Sequence, residues 1–222
     1  MNNDVILIDK PINWTSFDVV KKIRGLIKKR YNLNKLKVGH AGTLDPLASG
    51  LLIICTGKKT KELASFQNLK KTYLATIKLG YCTDSFDRET EEKNKKDYKN
   101  ISSDQINKIS KVFLGAQNQT PPNFSALKIN GKRAYQKARN NEIFTLDSRL
   151  IHIYSLNIKK INLPYVEFEV ICSKGTYIRS LADDIGKHLD CGAYLFNLKR
   201  LAIGAYHLDS AIDLEQFKIS LD

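Results

Sequence analysis

The 222-residue chain contains no apolar run approaching the roughly 20 residues that a membrane-spanning helix requires. Its start, Met1-Asn2-Asn3-Asp4, lacks the basic opening and long apolar stretch of a signal peptide, so a cytoplasmic location away from membranes is expected. Its four cysteines, Cys55, Cys82, Cys172 and Cys191, show no C-x-x-C spacing; neither a zinc site nor a disulfide framework is indicated, and they read as buried or incidental thiols. No segment repeats another, and strands and helices mix without a regular βαβ rhythm, which favours α+β over a doubly wound sheet. Acidic residues are scarce: 23 against 36 Lys and Arg leave a net charge of +13. The deficit is local. Val19 to Lys37 holds eight basic residues and no acid, and Asn123 to Asn141 holds five and again no acid. Such blocks suit a polyanion whose phosphates they neutralise, although a solvated basic face would carry the same charge. Phe124 and Tyr135 in the second block favour RNA, because unstacked bases pack on aromatic faces.

What is present is an ordinary globular composition, 42% hydrophobic and 27% charged, at a length that suits one main domain over 1–222. Thr15 with Asp18 forms a capping-box pattern, and Val19, Val20, Ile23, Leu26 and Ile27 follow at helical spacing. Leu51 to Thr56 is a continuous apolar run between Gly50 and Gly57, the pattern of a strand buried on both faces, and a short helix is expected from Thr60. Thr72 to Leu79 alternates, with Tyr73, Ala75, Ile77 and Leu79 on one face. Asp84 to Asn100 reads as an exposed loop. Ser102 and Gln105 open a helix carrying Ile106, Ile109, Val112 and Phe113. Residues 118–147, with Pro121-Pro122, read as a mobile excursion; Val166 to Ser173 alternates, with Glu167 and Glu169 facing out, and a helix is expected from about Tyr177 to His188.

One stretch concentrates unusual backbone: Gly39-His40-Ala41-Gly42-Thr43-Leu44-Asp45-Pro46-Leu47-Ala48-Ser49-Gly50. Three glycines permit turns closed to other residues, and Pro46 biases Asp45 toward an extended conformation. Asp45 is thereby held on a loop of defined shape leading into a buried strand. Such a place suits a catalytic carboxylate, and it equally suits a turn whose Asp bonds its own backbone.

This stretch resembles the signature of the bacterial tRNA pseudouridine-55 synthase family, the TruB family. The resemblance continues in order through Asp9-Lys10-Pro11 with Thr15 to Val20, Lys71-Thr72-Tyr73, Gln119 to Lys128 with Arg133-Ala134-Tyr135, Cys172 to Leu181, Cys191-Gly192-Ala193 and Leu198 to Leu201. It implies a pseudouridine-synthase fold, a mixed and mainly antiparallel sheet flanked by helices, with a mobile thumb-like loop at about 118–147. It also implies isomerisation of uridine to pseudouridine at position 55 in the T loop of tRNA. Carried over position by position, Asp45 is the essential carboxylate, Tyr73 stacks on the flipped uracil and assists removal of the C5 proton, and Arg179 pairs with Asp45. His40 contacts the T loop, Tyr177 and Leu198 line the uridine pocket, and Lys10, Lys128 and Arg133 contact RNA. The reaction changes no oxidation state and releases no group, so neither cofactor nor metal is implied.

The sequence also departs from the family pattern. Asn13 and Asn140 stand where glycine is expected, which Asn tolerates at positive φ, and Asp87-Arg88-Glu89-Thr90 lacks an expected glycine. With 21 residues after Leu201, no C-terminal PUA-like domain is expected, which argues against the guide-RNA-dependent relatives; the T arm is the expected contact, with a monomer and no obligate protein partner. Two other classes remain: a tRNA-folding chaperone that grips the T arm without chemistry, and a glycosidic hydrolase, for which no acid–base carboxylate pair is visible.

Overall fold

A computed structural model describes residues 3–221; Met1 and Asn2 of the N-terminal stretch read above lie outside it. In chain order the elements are β1 (Val5–Lys10), α1 (Ser16–Arg30), β2 (Val38–His40), β3 (Ala48–Thr56), α2 (Leu63–Asn68) and β4 (Lys71–Leu79). There follow α3 (Ser103–Val112), β5 (Gly115–Gln119), β6 (Lys128–Ile129), β7 (Lys132–Arg133), α4 (Ala134–Arg139), β8 (Arg149–Asn162) and β9 (Tyr165–Cys172). The chain ends with α5 (Ile178–His188), β10 (Ala193–Ile203), β11 (Tyr206–His207) and α6 (Leu214–Ile219). These elements form two compact units, Met1–Leu74 with Leu198–Asp222, and Ala75–Asn197.

In the first unit β3 is the central strand. It pairs antiparallel with β1 and β2 and parallel with the Leu198–Arg200 stretch of β10. Its continuous apolar run has a physical reason: Leu52 and Ile54 join Ile8, Val19, Val20, Ile23, Ile27, Phe217 and Leu221 in one buried cluster. Leu51, Ile53 and Cys55 point the other way, into a cluster with Ala41, Phe66 and Ile203. The α1 helix starts where expected, with Thr15 and Asp18 completing the capping box, and its Lys28, Lys29 and Arg30 complement the negative end of the helix. The helix expected from Thr60 begins instead as a 3-10 turn over Gly57–Glu62 and becomes α-helical at Leu63.

In the second unit β8 pairs antiparallel with β9 and with β5. Helix α3, capped by Ser102 and Gln105 as the sequence suggests, buries Ile106 and Ile109; Val112, expected on that face, is 51% exposed, and the apolar stripe continues at Phe113. The stretch 84–100 is only partly an exposed loop, because Ser85 and Asp87 are buried with Thr83 beside them. Residues 118–147 are likewise not a bare excursion: Gln119 belongs to β5, β6 and β7 form a hairpin, and α4 buries Ala134. Asn13 has the positive φ expected of it (67°), but Asn140 does not; that conformation falls on Asn141 (54°). Antiparallel pairing predominates, and the α+β class holds.

Candidate active site

The loop bearing Asp45 is fixed by bonds from several directions. The Ser16 hydroxyl, on the first residue of α1, accepts from the Leu44 N–H at 2.8 Å and donates to the Leu44 carbonyl at 3.0 Å. Asn13 N–H donates to Pro46 O at 2.7 Å, Ala48 N–H to Asp45 O at 3.1 Å, and Ala41 N–H to Ile53 O at 2.9 Å. Gly42 and Gly50 both adopt positive φ, 97° and 101°. Asp45 is half-buried at the crest, and His40 is half-buried at the end of β2, opposite Ile54. Burial holds the His40 imidazole below its ordinary pKa, against a backbone hydrogen bond with Gly42, and the charge of Arg200 adds to the lowering.

Two wholly buried cations lie under this loop. Lys10 in β1 and Arg200 in β10 both pair with Gly50, one from each side of β3. Arg200 donates from Nε to Leu51 O at 2.8 Å and from Nη2 to Gly42 O at 3.1 Å. The Lys10 ammonium donates to Pro11 O at 2.8 Å and Trp14 O at 2.6 Å, which corrects its expected role: no part of Lys10 faces solvent, so it does not offer an RNA contact. Burial lowers its pKa from 10.5 to about 8, against the attraction of Asp45 and with the repulsion of Arg200.

Lys10 therefore binds fewer protons in the folded protein than in the unfolded chain between about pH 8 and 10.5, and by itself it makes stability rise with pH across that window. Cys55, which burial pushes up to about 11, acts in the opposite sense there. Comparison with Lys10→Met isolates the Lys10 contribution. Urea midpoints measured from pH 7.5 to 10.5 are expected to show a rise in the wild type relative to the variant, and parallel profiles would refute the assignment.

Tyr73 sits on the buried face of β4 and Leu198 is half-buried opposite Ala48, both in the first unit. Tyr177, Arg179, Lys128 and Arg133 belong to the second. Tyr177 is the N-cap of α5, and Arg179, 4% exposed, sits in its first turn. Arg179 donates from Nη1 to Ser85 O at 3.2 Å and Phe124 O at 3.0 Å, and it has an acidic neighbour that the sequence did not suggest, Asp87 at 3.6 Å. Asp87 is itself braced, accepting from the Ser85 hydroxyl at 2.6 Å and the Glu89 N–H at 2.9 Å. Lys128 and Arg133 are exposed on the β6–β7 hairpin, where the Arg133 guanidinium also donates to Ala126 O.

Residues 28–178 match the TruB family pseudouridylate synthase N-terminal domain, and residues 179–221 match the tRNA pseudouridylate synthase B C-terminal domain. The chain belongs to the TruB family. Over 213 residues, 96% of this chain and 91% of the relative, it is 45% identical to tRNA pseudouridine synthase B of Parabacteroides distasonis. To tRNA pseudouridine synthase B of Flavobacterium johnsoniae it is 46% identical over its whole length, 97% of the relative. Among solved structures, a chain of the crystal structure of a Cbf5–Nop10–Gar1 complex is 30% identical with a TM-score of 0.68; 95% of this chain matches 52% of that one, so the TruB-family chain spans about half the solved chain.

Three buried polar residues, Asp87, Gln119 and Arg200, carried no sign of burial in the sequence, although each lies in a segment read above. Their partners lie far along the chain, as with Arg200 and Leu51, 149 residues apart. A cation cluster also emerges that the sequence read only in part. Lys35 and Lys37 belong to the first basic block, and they line one cavity with Lys58, Lys61, Thr60 and Asn3. Among the described residues none of these four lysines has an acidic partner. The cavity is built on the end of the β2–β3 pair, where Gly57 N–H donates to Lys37 O at 2.8 Å, and Lys37 is three residues, about 10 Å of extended chain, from His40. No helix among the described residues is long and apolar enough to cross a membrane.

Proposed function

We propose that this chain, working as a monomer in the cytoplasm, converts uridine 55 in the T loop of tRNA into pseudouridine, with Asp45 as the catalytic carboxylate. The observation that carries the reading is the Asp45 loop itself: a carboxylate on a backbone held by Ser16 of α1, Asn13 of the β1–α1 turn and Arg200 of β10, above two buried cations. In the reaction the N1–C1′ bond breaks, the uracil rotates, and a C5–C1′ bond forms; C5 loses its proton and N1 ends with one, so atoms and electrons balance without a cofactor. Asp45 engages the nucleotide while the base is detached. Tyr73 stacks on the uracil and assists the C5 proton, His40 contacts the T loop, and Tyr177 and Leu198 line the pocket. The pairing of Arg179 with Asp45 comes from the family resemblance. Extruding the base costs a few kcal/mol, which stacking and phosphate contacts offset; the exposed Lys128 and Arg133 and the four lysines of the cavity would supply the latter.

Incubation with unmodified tRNA, followed by site-resolved mapping, is expected to show pseudouridine in the T loop alone. RNA binding without product would favour the chaperone reading. A T-arm stem-loop is expected to react within a few-fold of whole tRNA, because the basic groups lie on the same short segments as the site residues. Each phosphate contact adds about 0.7–0.9 to the slope of log K against log salt, and the two RNAs are expected to share one slope. A much steeper slope for whole tRNA, with a large rate advantage, would show that recognition extends beyond the T arm.

A further inference from the structure

The segment between β5 and β8 leaves and returns through one cross-strand pair, Gln119 and Arg149. Both turn to the same residue, Tyr177. The Gln119 side chain, almost wholly buried, closes a two-bond ring on its backbone: Nε2 donates to Tyr177 O at 3.1 Å, and Tyr177 N–H donates to Oε1 at 2.8 Å. The Arg149 guanidinium lies over the Tyr177 ring, 5.2 Å from its centroid. Two more bonds tie the same segment to the start of α5: Ser180 Oγ donates to Thr120 O at 2.8 Å, and Arg179 donates to Phe124 O.

We propose that Gln119 and Arg149 are positioning residues that set the backbone and the ring of Tyr177 for the bound uridine. The inference rests on Tyr177 lining the uridine pocket. The physical reason is that each contact removes a different freedom. A buried amide that spends its donor and its acceptor on one residue fixes where that backbone sits, because displacement would leave buried polar groups unmatched. A planar cation over the ring fixes the rotation of the side chain, which a hydrogen bond to the backbone cannot do. Tyr177 has no side-chain cap of its own for α5, so the two residues at the base of the segment hold it in place. The exposed Lys128 and Arg133 lie on that same segment, so the groups expected to meet RNA and the pair that sets the pocket wall share one stretch of chain.

Arg149→Lys keeps the charge and loses the flat face. In single-turnover reactions at saturating T-arm RNA it is expected to lower the rate about tenfold while Kd changes less than about twofold, since small misplacements at a reacting centre cost rate rather than affinity. In a Tyr177→Leu background the same change is expected to alter the rate less than about twofold, because the ring it acts on is gone. A weakened Kd with an intact rate would make Arg149 a phosphate contact, and an equal loss without the ring would remove Tyr177 from the account; either overturns the proposal. The second arm needs no activity. In the free protein Gln119→Leu is expected to speed hydrogen exchange at the Tyr177 amide about tenfold or more, with the β8–β9 amides unchanged, and unchanged exchange at Tyr177 would overturn the clamp. A wild type that makes no pseudouridine would overturn the functional reading and the catalytic purpose of the pair, while the exchange result would still decide the clamp.

Discussion

Asp45→Asn is expected to bind tRNA within a few-fold of the wild type and to form no detectable pseudouridine, a loss of roughly 10³-fold or more in single-turnover rate. The substitution keeps side-chain size and removes charge and nucleophilicity. The bonds that shape the loop run through Ser16 and Leu44, Asn13 and Pro46, and Arg200 and Gly42, so the backbone around residue 45 is expected to keep its form. A thermal midpoint close to that of the wild type would separate lost chemistry from lost structure. One electrostatic corollary is also measurable. Asp45 is the foremost group raising the pKa of Lys10, so in the variant that ammonium is expected to titrate below its wild-type value of about 8. Turnover by a pure Asp45→Asn preparation would end the catalytic assignment.

Gly50→Ala is expected to destabilise the protein by about 4 kcal/mol, a size reached when a side chain meets backbone at a conformation it cannot adopt. The φ at Gly50 is +101°, and a Cβ there would stand 2.4 Å from the Arg200 carbonyl oxygen and 2.7 Å from its nitrogen. Neither atom can yield without breaking the parallel pairing of Leu198–Arg200 with Ala48–Gly50. Gly25 supplies the control: it lies within α1 with nothing within 4 Å of an added Cβ, so Gly25→Ala is expected to add about 0.5–1 kcal/mol of stability. Urea titration of both variants tests the pair. A Gly50→Ala protein as stable as the wild type would show that β3 and β10 do not approach so closely.

The contrast between these two glycines shows what could be read from sequence. Local signals were legible: the Thr15–Asp18 cap, the apolar run of β3, the alternation of β4 and β9, and the start of α5 all depend on neighbours within a few residues. Strand β8 was not, because register shifts near Ile153 and Ile158 break its period-two pattern. Strand β10 escaped because Ala193, Tyr194 and Leu195 are buried in succession and Asn197, Lys199 and Arg200 look like surface. In sequence Lys10 and Arg200 are two of 36 basic residues, and only the fold shows that neither touches water. The same holds for Asp87, one acid in a polar stretch until Arg179 is placed beside it.

The unit that carries Asp45 is discontinuous: Met1–Leu74 is completed by Leu198–Asp222, with Ala75–Asn197 in between. During synthesis the glycine-rich loop therefore leaves the ribosome without Arg200, the group that ties Gly42 and Leu51 together. At about 5–20 residues per second, the nascent loop waits on the order of 10 s for that guanidinium. Over that interval the Ala48–Gly50 edge of β3 has no β10 beside it, an unpaired strand edge open to pairing with another chain. Asp45 is thus made well before the guanidinium that completes the bracing of its loop.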